Sequence, residues 1–118
     1  MGFGTGDAVL ATFLRNIERE GVANGVTALR TTSAEAARIW TQPVGLLFVD
    51  AVHEYEHVVA DYRHWQRHIP SGGWIAFHDY TEDKEHPFHD VARAIRHVIG
   101  DDWEPPIIVE NLWTARRR

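Results

Sequence analysis

Two short apolar runs, residues 44–49 and 74–77, each stop at ionisable side chains, and this pattern constrains the fold more than any other feature of the chain. Val44-Gly45-Leu46-Leu47-Phe48-Val49 shows no apolar–polar alternation. Such a run suits a strand covered on both faces, as in a parallel sheet. It ends at Asp50. Trp74-Ile75-Ala76-Phe77 repeats the pattern and ends at His78-Asp79-Tyr80. Between the runs, Tyr55, Val58, Val59, Tyr62 and Trp65 recur every three or four residues. That spacing predicts an amphipathic helix from Glu54, closed by Pro70, with Ser71-Gly72-Gly73 turning the chain into the second strand.

The flanks extend the alternation. Val9, Leu10, Phe13, Leu14 and Ile17 form a helical stripe over residues 8–20, with Asp7 as N-cap and Gly21 as the stop. Residues 26–31 (VTALRT) read as a short strand. Ser33 opens a short helix, its hydroxyl accepting from first-turn amides, that ends near Trp40. Val91, Ala94, Ile95 and Val98 mark another helix, stopped by Gly100, and residues 106–115 are strand-like, as one long strand or two short ones. Residues 1–7, rich in glycine, read as a flexible leader. The whole is an α/β pattern with a mainly parallel sheet and helices on both faces. At 118 residues there is room for one domain.

Composition excludes several classes of function. A net charge of −5 argues against general nucleic-acid binding, which needs a basic stripe to neutralise phosphates. The basic run Arg116-Arg117-Arg118 reads as a solvated tail. With no cysteine there is neither a disulfide nor a thiolate metal site. No apolar run approaches the ~20 residues that span a bilayer, and no signal peptide is visible, so no membrane partner is expected and the cytoplasm is the default location.

In open α/β sheets, ligands collect at the carboxyl ends of the strands. If the two strongest strands are neighbours, their ends lie ~5 Å apart, and Asp50, His53, His78 and Asp79 face one crevice. Two carboxylates with imidazole can hold a divalent cation through hard oxygen ligands. The same set can supply a general base. The plainer alternative is that Asp50 caps the following helix and that the two histidines satisfy loop backbone groups. Elsewhere, His57, Asp61, His64 and His68 read as a solvated helix face, His86 and His89 as surface or substrate-loop residues, and the five tryptophans as packing.

The stretch Leu46-Leu47-Phe48-Val49-Asp50-Ala51-Val52-His53-Glu54-Tyr55-Glu56, with Asp61, Ile69-Pro70-Ser71-Gly72-Gly73-Trp74 and Phe77-His78-Asp79-Tyr80, resembles the small class I S-adenosylmethionine-dependent methyltransferases related to the macrolide-sugar O-methyltransferases. The resemblance implies a partial Rossmann-like methyltransferase sheet. It also implies transfer of a methyl group from S-adenosylmethionine to a hydroxyl of a small-molecule acceptor. It places Asp50 near the cofactor's methionine end and as a metal ligand, and Asp79 as a second ligand of a divalent cation such as Mg2+. His78 stands where the family often has an acid and joins the metal set. His53 becomes the base, and Ser33 lies near the adenine, with Thr32 in place of the usual acidic neighbour.

The family's first strand, glycine loop and second strand have no clear counterpart here. Gly2-Phe3-Gly4-Thr5-Gly6 spells G-x-G-x-G but lacks a preceding strand, and a lone glycine pattern is weak. The chain therefore reads as the C-terminal part of such an enzyme. Without those strands, either the strand at residues 26–31 pairs directly with that at residues 44–49, or an apolar edge stays open and invites a homo-oligomer. Two other functions remain in view: a non-catalytic methyltransferase-like module that self-assembles, and a metal-dependent hydrolase using the Asp/His cluster.

Overall fold

The computed structural model describes residues 3–50 and 53–118. The chain resolves into two compact units, Met1–Arg30 and Thr31–Arg118. The first holds helix α1 (Phe3–Arg19) and a single 3-10 turn, Ala23–Gly25. The helix begins five residues before the predicted start, so the leader expected over residues 1–7 is helical from Phe3 onward. Met1 and Gly2 lie outside the described residues. Residues 26–30 form no strand. Their β-branched composition gives an extended backbone at Val26 (φ −128°, ψ 130°), but a strand also needs a hydrogen-bonded neighbour, and β-propensity reflects that context more than the backbone itself.

The second unit runs α2 (Ser33–Ile39), β1 (Leu46–Val49), α3 (Tyr55–Trp65), β2 (Trp74–Phe77), α4 (His89–Val98), β3 (Ile107–Val109) and β4 (Leu112–Arg116). Its sheet has the order β1-β2-β4-β3. β1 and β2 pair in parallel, Val49 opposite Phe77, across the α3 crossover. β4 runs antiparallel to both β2 and β3. The α/β reading holds, with the sheet mixed rather than mainly parallel. Residues 106–115 break at Glu110-Asn111 into a hairpin, and that two-residue turn makes β3 and β4 antiparallel, while β4 enters the sheet antiparallel to β2 as well.

One face of the sheet carries Ile75 and Phe77 of β2 and Trp113 and Ala115 of β4, all buried against Val58, Val59 and Tyr62 of α3 and Val91, Ala94 and Ile95 of α4. Each large apolar side chain buried in this way contributes roughly 1.5–3 kcal/mol. The opposite face is open at β1, where Leu46 and Phe48 are 61% and 52% exposed. Among the described residues β1 has a strand on one side only. Of the two outcomes foreseen for the missing neighbours, the open edge is the one found.

Two details seat β2. Gly72 takes a left-handed φ of 86°, and a Cβ on Gly73 would stand 2.6 Å from the Ile69 side chain and 3.2 Å from the Val44 carbonyl, so the turn into the strand requires both glycines. The basic C-terminus is no solvated tail. Arg116 belongs to β4. The Arg117 guanidinium donates to the carbonyls of Gln66 (2.6 Å) and Ile69 (3.2 Å), to Gln66 Oε1 and to Asp102. It also lies 5.1 Å from the centre of the Trp103 ring. The guanidinium's fixed fork of donors meets stranded carbonyls where the chain leaves α3, and this fixes the residue in place. Trp103 Nε1 in turn donates to the hydroxyl of Tyr62, whose pKa is pushed up by burial.

Candidate active site

The parallel register that sets Val49 beside Phe77 carries the next residues, Asp50 and His78, out of the sheet side by side. Their side chains meet: His78 Nδ1 donates to Asp50 Oδ1 at 2.9 Å. At Asp79 the backbone turns left-handed, with φ of 62°. A non-glycine residue pays about 1–2 kcal/mol for that conformation. The turn ends β2 and leaves the Asp79 carboxylate close to two imidazoles. Oδ2 accepts from His53 Nε2 and lies 3.4 Å from His78 Nδ1. Asp79 is the most enclosed of the group, its side chain 16% exposed against 35% for His53.

All four residues named from the strand ends therefore converge. The plainer alternative fails on geometry. The N-cap of α3 is Glu54, without a side-chain cap bond, so Asp50 caps nothing there. The hydrogen bonds of His53 and His78 go to carboxylates rather than to loop backbone. Among the described residues, Asp50, His53 and Asp79 are the one group whose ligand atoms could converge on an ion, all lying within 4.8 Å of one another. In that trio His53 stands where His78 was expected. Two carboxylate oxygens and an imidazole suit a hard or borderline divalent cation. A cavity of about 10 Å3 behind Asp50, His53 and His78 has room for roughly one water molecule.

Ser33 does not join the cluster through any side-chain contact. Thr32, not Ser33, is the N-cap of α2, its hydroxyl accepting from Glu35 N–H at 3.1 Å. Ser33 instead receives the Trp65 indole N–H on its hydroxyl at 2.8 Å. Gly4 and Gly6 stand within α1 rather than in a loop after a strand, so they form no glycine cradle for a cofactor. His68 donates to the Ala37 carbonyl at 2.9 Å and belongs to the packing of α2 on α3.

Residues that sequence reasoning missed complete the site. Phe88 stacks on His53, the rings 3.9 Å apart and 18° from parallel. Its own N–H donates to His86 Nδ1 at 3.0 Å. Beyond Asp79 opens a cavity of about 450 Å3, lined by Thr81, His86 and Phe88 from the loop after β2 and by Glu110 and Asn111 from the hairpin turn. The two histidines around Pro87-Phe88 flagged this loop in the sequence. Nothing flagged Glu110-Asn111, which reaches the site only because β4 returns beside β2.

Comparison with known proteins agrees with this picture. Residues 5–80 match the family described as a methyltransferase domain. A curated relative, the uncharacterized protein R132 of Acanthamoeba polyphaga mimivirus, is 29% identical over 58 residues, which cover 49% of this chain and 25% of that protein. The match thus extends over only a quarter of that relative. A crystal structure from Clostridium thermocellum, of a protein assigned as an rRNA-methylase, superimposes with a TM-score of 0.70 at 10% identity, covering 95% of this chain and 71% of the other. At that identity the likeness is one of fold. The family match ends just past Asp79, so it embraces both strand ends, the helix between them and all four clustered side chains, and the chain belongs to this methyltransferase-domain family.

Proposed function

We propose that this chain carries the acceptor-side part of an S-adenosylmethionine-dependent methyltransferase that methylates a hydroxyl of a small molecule, and that it pairs with a second copy through the open β1 edge. Family membership supports methyl transfer and S-adenosylmethionine as donor. The observation that carries the rest is the meeting of Asp50, His53, His78 and Asp79 at two adjacent strand ends.

The bound cofactor supplies a sulfonium methyl group open to attack by an oxygen. The chain's own residues then have to place the acceptor hydroxyl and remove its proton. Asp79 accepts from His53 Nε2, and a carboxylate can only accept, so the ring proton sits on that nitrogen. Nδ1 is left as the atom able to take the acceptor's proton, the same logic by which a carboxylate sets the tautomer of a catalytic imidazole. Phe88 holds the ring plane by stacking. A divalent cation, if used, would be held by Asp50, His53 and Asp79 and would acidify the hydroxyl. Held in that way, His53 would serve as a ligand and not as the base.

The test is methyl transfer from labelled S-adenosylmethionine to hydroxylated small molecules, with and without Mg2+, beside direct titration of Mn2+. Transfer that drops about 100-fold in His53→Ala supports the reading. Mn2+ binding lost in Asp79→Asn supports the cation. Cation binding without transfer supports the metal-dependent hydrolase instead. The absence of both refutes the proposal and leaves the non-catalytic module, the reading favoured by Gly4 and Gly6 lying in a helix.

A further inference from the structure

The loop between β2 and α4 is built from side chains that accept the backbone amide two residues ahead. Thr81 Oγ1 takes Asp83 N–H at 3.1 Å, Asp83 Oδ1 takes Glu85 N–H at 3.0 Å, and His86 Nδ1 takes Phe88 N–H at 3.0 Å. Such local bonds satisfy amides that neither helix nor sheet reaches. The first two serve exposed loop residues. The third serves the residue whose ring stacks on His53 at 3.9 Å.

His86 holds Phe88 from both sides. Its ring nitrogen binds the Phe88 amide, and its carbonyl accepts from His89 N–H at 3.0 Å, so both peptide groups flanking the Phe88 α-carbon are bound to one residue. The Phe88 carbonyl accepts from Val91 N–H at 3.0 Å, which ties the same residue to the first turn of α4. Pro87 lies between, and its ring locks a backbone torsion of the span. The His86 imidazole also packs on the phenyl ring, their centres 5.1 Å apart. With its backbone held in this way, Phe88 has only its side-chain torsions left to set before the phenyl face meets His53.

We infer that His86 is a positioning residue: it fixes Phe88 so that the phenyl face holds the His53 imidazole against Asp79. Its consequence for methyl transfer rests on the reading of His53 as the base; the position of the ring does not. Proton NMR of the whole chain reads that position, because the carbon-bound ring protons of His53 lie over the phenyl face and are moved upfield by its ring current. Phe88→Leu supplies the spectrum without that current. His86 is exposed, so its substitution leaves the core untouched. His86→Ala is expected to move the His53 resonances toward those of Phe88→Leu. It is also expected to lower kcat for methyl transfer about fivefold with KM little changed, as for one hydrogen bond lost in placing the base. His86→Asn carries Oδ1 at the same place in the side chain as Nδ1 and is expected to restore both, as Asp83 Oδ1 does for Glu85. His53 resonances that stay in place in His86→Ala, or that are displaced equally in His86→Asn, overturn the inference. Resonances that move as expected in a chain without methyl transfer uphold the positioning and count against His53 as the base.

Discussion

His53 and Asp79 are joined side chain to side chain across 26 residues of sequence, and Phe88 stacks on the same imidazole at 3.9 Å. One ring is thus held at its edge by a carboxylate and on its face by a phenyl group. Phe88→Leu removes the flat surface while keeping an apolar side chain. It is expected to lower the rate of methyl transfer about tenfold or more with little change in fold, since small errors in placing a base are costly. Steady-state kinetics beside a circular dichroism melt checks this; a full loss of structure with the activity would point to packing alone.

Glu110 offers a test of what a left-handed turn residue costs. Glu110→Gly relieves a left-handed side-chain-bearing residue, and the variant is expected to be more stable by about 1 kcal/mol in urea denaturation. No hydrogen bond or ion pair is lost with it among the described residues. A destabilised variant would mean that the carboxylate supports the hairpin.

Arg117 and Arg118 are neighbours of equal charge with unequal surroundings. Arg117, its side chain 19% exposed, donates to two carbonyls, Gln66 Oε1 and Asp102 while lying over Trp103. Arg118 donates to one exposed carbonyl, that of Asp101. Arg117→Ala is expected to cost about 2–4 kcal/mol, because two carbonyls lose their donor and the ring loses its cation. Arg118→Ala is expected to cost under about 0.5 kcal/mol. Paired urea melts decide it.

The open edge of β1 bears on assembly. Leu46 and Phe48 stand exposed on a strand with one neighbour, and such an edge templates pairing with another chain unless charge or proline blocks it. Light scattering is expected to find a dimer at micromolar concentration, shifted toward monomer by Phe48→Lys. A monodisperse monomer for the unaltered chain contradicts the assembly proposed.

Read from the chain alone, the two apolar runs located β1 and β2, and the three-to-four spacing from Tyr55 to Trp65 located α3, because an unbroken apolar run and a one-sided helix leave different periods in the sequence; the covering of both faces that the run implied is not found at β1, where Leu46 and Phe48 stand exposed. Those periods also put Asp50, His53, His78 and Asp79 at strand ends. They also suggested a strand at residues 26–31 that does not form, because propensity there finds no neighbour to pair with. Nor could they show Arg117 bound against Trp103, whose partners lie 14 to 51 residues away. The left-handed turn at Asp79, the stack of Phe88 on His53 and the arrival of Glu110 at the cavity depend on β4 returning antiparallel beside β2 and on the loop folding over the strand end. Local sequence sets which residues are apolar and at what period; which side chains face one another across a site is set by long-range packing, and only the tertiary structure holds that information.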